Sequence, residues 1–153
     1  MIILFIYFYI IDNSLVVESI YSSELTENSS TFARINCESS DYYYEAIEID
    51  VIEGGCYNLI SNSTIDTYGY IYKNYFYSID STINLVSEND RGFRSNQFEL
   101  ITQLQTNTKY ILVVTTNDPN VTGVFSLLVT GPKNVKFNRI SKYLSVWSKI
   151  NEI

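Results

Sequence analysis

The chain has 153 residues, 46% hydrophobic and 15% aromatic, enough to bury the core of one domain and too apolar for a disordered tail. It contains no histidine, which excludes Ser-His-Asp and Cys-His catalysis, histidine zinc sites and the commonest general base. The net charge of −7 is uneven: residues 1–132 hold five bases against sixteen acids, residues 133–153 five bases against one, so the acidic body argues against nucleic-acid binding.

Charged residues are 18% of the chain, whereas it has fifteen Asn and thirty Ser plus Thr. These suit turns and strand surfaces better than helices, and the balance points to an extracellular β protein. At the N-terminus, "MIILFIYFYII" is an apolar run ended by Asp12 and shorter than the ~20 residues of a membrane span. It has the length of a signal-peptide core but lacks a preceding base and a small-residue cleavage site, so a buried strand competes with that reading. Residues 1–31 are therefore expected to be this segment and a lead-in, residues 32–132 the folded domain, and residues 133–153 a solvated basic tail. No membrane contact is expected beyond a signal peptide.

Alternation with a period of two dominates the middle of the chain. "YYYEAIEIDVI" sets Ile47, Ile49 and Val51 against Glu48 and Asp50 and stops at the turn signal "EGG". "CYNLIS" reads as the return strand, with Tyr57 and Leu59 on one side. After the turn "SNST" comes "TIDTYGYIYKNYFY", in which Tyr68, Tyr70 and Tyr72 share one strand face. "INLVS", "FELITQL" and "VFSLLVTGP" supply further strands, and "KYILVVTT", apolar on both faces, belongs in the middle of a sheet. Turns about every ten residues predict an all-β, antiparallel, jelly-roll-like sandwich of seven to eight strands. Helix is expected at most in the last twenty residues, where "ISKYLSVWSKI" is either a short amphipathic helix or a tail docked through Trp147.

From Phe32 to Val135 the order of motifs is informative: "GGCYNL", "STIDTYGYIY", the acidic turn "SEND", "QFEL", "TKYILVVTT" and "GVFSLLVTGP". This succession resembles the bacterial pre-peptidase C-terminal domain family, in particular its divergent tandem copies in large secreted animal proteins, including those of rotifers. The resemblance implies a jelly-roll-like sandwich without catalytic activity, appended to exported proteins, where it assists folding or secretion or contacts polymeric substrates. Family members often carry two acidic residues in the turn after the "NL" strand; here Asn89-Asp90 is followed by Arg91.

The candidate sites follow from residue chemistry. Asp66, Asn89 and Asp90 form a candidate oxygen set for calcium, although they come from two distant segments and lack the spacing of a dedicated calcium loop. Asp66 capping its own turn is the simpler assignment, and no other cofactor is expected. Glu45 interrupts its strand's alternation, but nothing pairs it with a second carboxylate, so glycoside hydrolysis is not expected. Sequons occur at Asn28, Asn62 and Asn120, of which Asn62 and Asn120 fall in predicted turns. Cys37 and Cys56, if paired, would close a loop worth roughly 3 kcal/mol, and their spacing leaves the pairing open. The tyrosines are either an aromatic platform for a ligand or the inward face of the strand; the opposite face of Thr67, Gly69 and Ile71 makes a thin core, which favours tyrosines inward. Two functions follow: a non-catalytic secreted or cell-surface accessory domain supporting folding, export or adhesion, or a module binding carbohydrate or glycoprotein.

Overall fold

The computed structural model describes residues 16–37, 39–89 and 96–141. Residues 1–11, Asp90 and Trp147, and with them the readings placed there, lie outside the described residues. Ten strands follow in chain order: β1 Val17–Leu25, β2 Ser30–Phe32, β3 Tyr42–Val51, β4 Gly55–Ser63, β5 Thr67–Lys73, β6 Leu85–Asn89, β7 Glu99–Leu104, β8 Tyr110–Thr116, β9 Gly123–Gly131 and β10 Val135–Arg139. Among the described residues there is no helix.

The strands form two antiparallel sheets: a smaller one ordered β1-β9-β4-β7 and a larger one ordered β10-β3-β8-β5-β6, with β2 also paired to β3. β2 and β10 share one edge of β3, along Tyr42–Tyr44 and Ile47–Val51 respectively. Without these two, eight strands remain, and in chain order they run 1-8-3-6 in one sheet and 2-7-4-5 in the other. That connectivity is a jelly roll.

Between the sheets lies the main core. Ile47, Ile49 and Val51 of β3, Leu112 and Val114 of β8 and Ile71 of β5 meet Tyr57 and Leu59 of β4, Leu100 of β7, and Phe125, Leu127 and Val129 of β9. Each such side chain contributes about 1.5–3 kcal/mol on full burial. β8 is buried at all seven positions. Its alternate residues Ile111 and Val113 face a second apolar cluster on the far side of the larger sheet. The run "KYILVVTT" is apolar on both faces because both of its faces are covered.

The strand count and boundaries exceed those read from sequence. β1 lies in the expected lead-in and β10 in the expected tail. Neither announces itself, because the inward positions of β1 include Ser19 and Ser23, which work through hydrogen bonds: Ser19 Oγ accepts from the Val135 amide at 3.0 Å and Ser23 donates to Glu45 at 2.8 Å. β4 is not the hairpin return of β3 either, since the two lie in different sheets. Alternation shows that a strand has a buried face; it does not say which sheet owns the strand.

With six glycines in the chain, asparagine supplies the left-handed turn residues. Asn36, Asn74, Asn84, Asn107 and Asn120 all have φ between 58° and 69°, a region asparagine tolerates better than other side chains. Among the described residues, Gly69 and Gly131 sit at close approaches. A Cβ on Gly131 would lie 2.1 Å from the Tyr57 ring, and one on Gly69 2.7 Å from the Phe98 ring. Gly131→Ala is expected to cost about 1–3 kcal/mol, the range for overpacking a filled core. Urea denaturation checks this, and parental stability would mean that the Tyr57 ring moves aside freely.

Candidate functional site

The tyrosine face lies on the outer side of the larger sheet, not between the sheets. Phe98 explains the difference: its ring packs against Gly69, so the Thr67-Gly69-Ile71 face gains an aromatic from another segment and is not thin. Outside, the tyrosines are roofed by Phe32 of β2, by the segment that follows it and by Phe76. Tyr68 stacks on Tyr70 at 4.7 Å, Tyr70 on Tyr72 at 6.1 Å, and Phe76 leans on Tyr72 at 4.8 Å. Tyr70 and Tyr72 are 0% exposed and offer no ring face to a ligand. Tyr70 and Tyr72 belong to a second core, and Tyr68 is half-buried and packs against it with the Arg34 guanidinium over its ring.

Arg34, unremarked in the sequence, closes this layer. Its Nε donates to the Tyr70 hydroxyl at 3.1 Å, and its Nη1 donates to the carbonyls of Thr116 at 3.1 Å and Asn117 at 2.8 Å. The guanidinium lies 3.8 Å from the Tyr68 ring centroid and 5.2 Å from that of Tyr42, within cation–π range. Tyr72 donates to the Ser81 carbonyl at 2.9 Å. Burial pushes the phenols of Tyr70 and Tyr72 well above the usual range, an effect that Arg34 partly offsets at Tyr70.

Glu45 points inward, across to β1. It accepts hydrogen bonds from Tyr21 and from Ser23, and pairs with Arg139 Nη2 at 2.8 Å. Its partners are two hydroxyls and a guanidinium, which join β1, β3 and β10. Burial, and then the Glu45 carboxylate, push the Tyr21 phenol up to about 12.

Of the calcium set, Asp66 and Asn89 are described and Asp90 lies outside the described residues. The Asp66 carbonyl accepts from the Asn117 amide at 3.1 Å, and the Asn89 side-chain amide donates to the Glu99 carbonyl at 2.9 Å. Among the described residues no three His, Cys, Asp or Glu side chains group as metal ligands. Of the sequons, Asn28 is exposed in the turn after β1 and Asn120 in the turn before β9. Asn62, expected in a turn, is instead exposed within β4, opposite Ser126. Cys37 and Cys56 are both free thiols.

The outer face of the smaller sheet has no roof among the described residues. Register sets its cross-strand rows: Ser22, Ser126 and Asn62; then Ile20, Leu128 and Ile60, ending at Glu99; then Glu18, Thr130, Asn58 and Ile101. Ile20 is 70% exposed and Ile101 66%. A hollow of about 600 Å³ crosses this face, lined by Glu18, Ile20, Ile60, Gln97, Glu99 and Leu128 among others. Beside it, Asn58 Nδ2 donates to Glu99 at 2.8 Å, whereas Asn58 Oδ1 is buried without a donor. Sequence reading passed over this face because its apolar residues stand singly on strands distant in sequence. Compared with known proteins, the chain matches no family model and no curated protein.

Two outcomes follow from the buried tyrosines. Tyr70→Ala is expected to lose about 3–5 kcal/mol in chemical denaturation, and Tyr70→Phe about 1–3 kcal/mol because Arg34 Nε keeps no acceptor there; surface-like losses in both would contradict the second core. The alkaline limit is the other outcome. Tyr21 has an ordinary value of 10.0 and about 12 in the folded chain, so its contribution is complete below pH 10 and lost as pH rises through 12. Tyr70 and Tyr72 act in the same direction. Urea-denaturation stability should fall across that window, less steeply in Tyr21→Phe, and a flat profile would contradict it.

Proposed function

We propose that the chain is a non-catalytic accessory domain of a secreted or cell-surface protein that meets its partners through the open face of the smaller sheet. The observation that carries this reading is the asymmetry of the outer faces. The larger sheet is sealed by an aromatic layer, whereas the smaller sheet presents an apolar row and a hollow. An apolar row rimmed by polar groups is the usual composition of a contact surface. The most conspicuous buried charges, Arg34 and Glu45, are occupied by structural partners. The resemblance of residues 32–135 to pre-peptidase C-terminal domains, together with jelly-roll connectivity, supports a role in export, folding or adhesion.

A carbohydrate- or glycoprotein-binding module is the second reading. Tyr70 and Tyr72 are buried, and the feature that favours this reading is Tyr75, 43% exposed and tilted against Tyr77 at 6.4 Å. Expression of the full chain in a secretory cell, followed by arrays of extracellular proteins and glycans, separates the two. The expected result is export and capture of a partner that Ile20→Asp weakens about tenfold, the cost of one well-packed contact residue, and that Tyr75→Ala leaves unchanged. Glycan capture abolished by Tyr75→Ala and indifferent to Ile20→Asp would favour the second reading. Retention of the chain inside the cell would overturn the secreted assignment.

A further inference from the structure

The open face is chemically one-sided. No lysine or arginine occurs on any of its four strands, whereas Glu18, Glu24 and Glu99 all point outward from it. Glu18 and Glu99 line the hollow that holds Ile20, Leu128 and Ile60, and Glu24 lines a neighbouring hollow that shares Asn62 and Ser126 with it. The face thus offers carboxylates and an apolar row, and it asks for positive charge and apolar side chains.

Resting on the reading of this face as the contact surface, we propose that its partner is a cationic amphipathic polypeptide segment. Such a segment sets apolar side chains across Ile20, Leu128 and Ile60 and its lysines or arginines against the exposed Glu18 and Glu24. A second copy would bring the same carboxylates, and like charges facing each other oppose association. Anionic lipid headgroups meet the same repulsion. A neutral sugar prefers an aromatic ring to stack on, and the outward residues of these strands include none. The excess acid of residues 1–132 extends the attraction beyond contact range and speeds encounter with a cation.

Fluorescence anisotropy on the full chain tests this with three short labelled peptides, alternating Lys–Leu, Glu–Leu and Lys–Ser. The Lys–Leu peptide is expected to bind and the other two to bind at least about tenfold more weakly, since each lacks one of the two complementary elements. Glu18→Gln and Glu24→Gln should each weaken Lys–Leu binding about two- to fivefold, the value of an exposed charge pair. Salt at 1 M, where screening acts within about 3 Å, should remove that difference. Ile20→Ser should weaken binding at every salt concentration. Equal binding of Glu–Leu and Lys–Leu would overturn the cationic assignment and keep the open face as the contact surface. Lys–Leu binding indifferent to all three substitutions would place the peptide elsewhere and overturn the proposal. A dimer in sedimentation that Ile20→Ser dissociates would overturn it in favour of a second copy. If no peptide binds, the partner chemistry fails; Ile20→Asp sensitivity in the protein array then separates that failure from failure of the underlying reading.

Discussion

The guanidinium of Arg34 lies where the tyrosine ladder, the end of β8 and the roof over the larger sheet meet, and its bonds decide which side of the molecule is left bare. Burying a cation is costly unless its donors are met and its charge is accommodated. Here Nε and Nη1 find the Tyr70 hydroxyl and two carbonyls, and the rings of Tyr68 and Tyr42 flank the planar group. The same arrangement anchors the chain that follows β2 over the outside of the larger sheet, where Phe32 meets Tyr44 and Tyr70 edge-on at 5.1 and 6.0 Å. Without that anchor the tyrosines would form an open aromatic surface. With it, one sheet has two cores and the other has one.

This division of labour shows how a jelly roll can carry a dry side and a wet side on the same frame. β8 runs through the middle of the larger sheet with both faces covered, while β9, central in the smaller sheet, hides one face, through Phe125, Leu127, Val129 and Gly131. The Glu45 cluster stitches the rim, joining β1 of one sheet to β3 and β10 of the other through Tyr21, Ser23 and Arg139. The charged groups inside are thereby committed to holding strands together. Chemistry directed at other molecules is left to the surface.

Much of the frame was legible in the sequence. Ile47-Ile49-Val51, Phe125-Leu127-Val129 and the doubly apolar "KYILVVTT" lie where a period of two places them, and asparagine-rich stretches mark turns. What was not legible shares one physical cause: contacts between segments far apart in the chain. The ring of Phe98 turns the apparently thin face of β5 into the inward one, the serines of β1 are inward because Glu45 and Val135 need them, and Arg34 gives no local sign that it is buried. The open face was hidden for the same reason. Ile20, Ile60 and Leu128 look like isolated exceptions until the register sets them side by side. Once the strand order is known, the absence of any base from the smaller sheet can be read directly from the sequence.

The left-handed asparagines bear on how the sequons can be studied. Asn120 is both the asparagine of a sequon and the residue that lets the chain turn at φ 59°, with its amide donating to the Asp41 carbonyl at 2.9 Å. Changing it to glutamine would remove a sugar attachment point and also put a poorer residue into a conformation that costs ordinary side chains about 1–2 kcal/mol. Any loss of secretion in that variant would have two indistinguishable origins. Thr122, exposed beyond the turn, completes the same sequon without sharing its backbone duty. Altering Thr122 removes the sequon and leaves the turn residue in place.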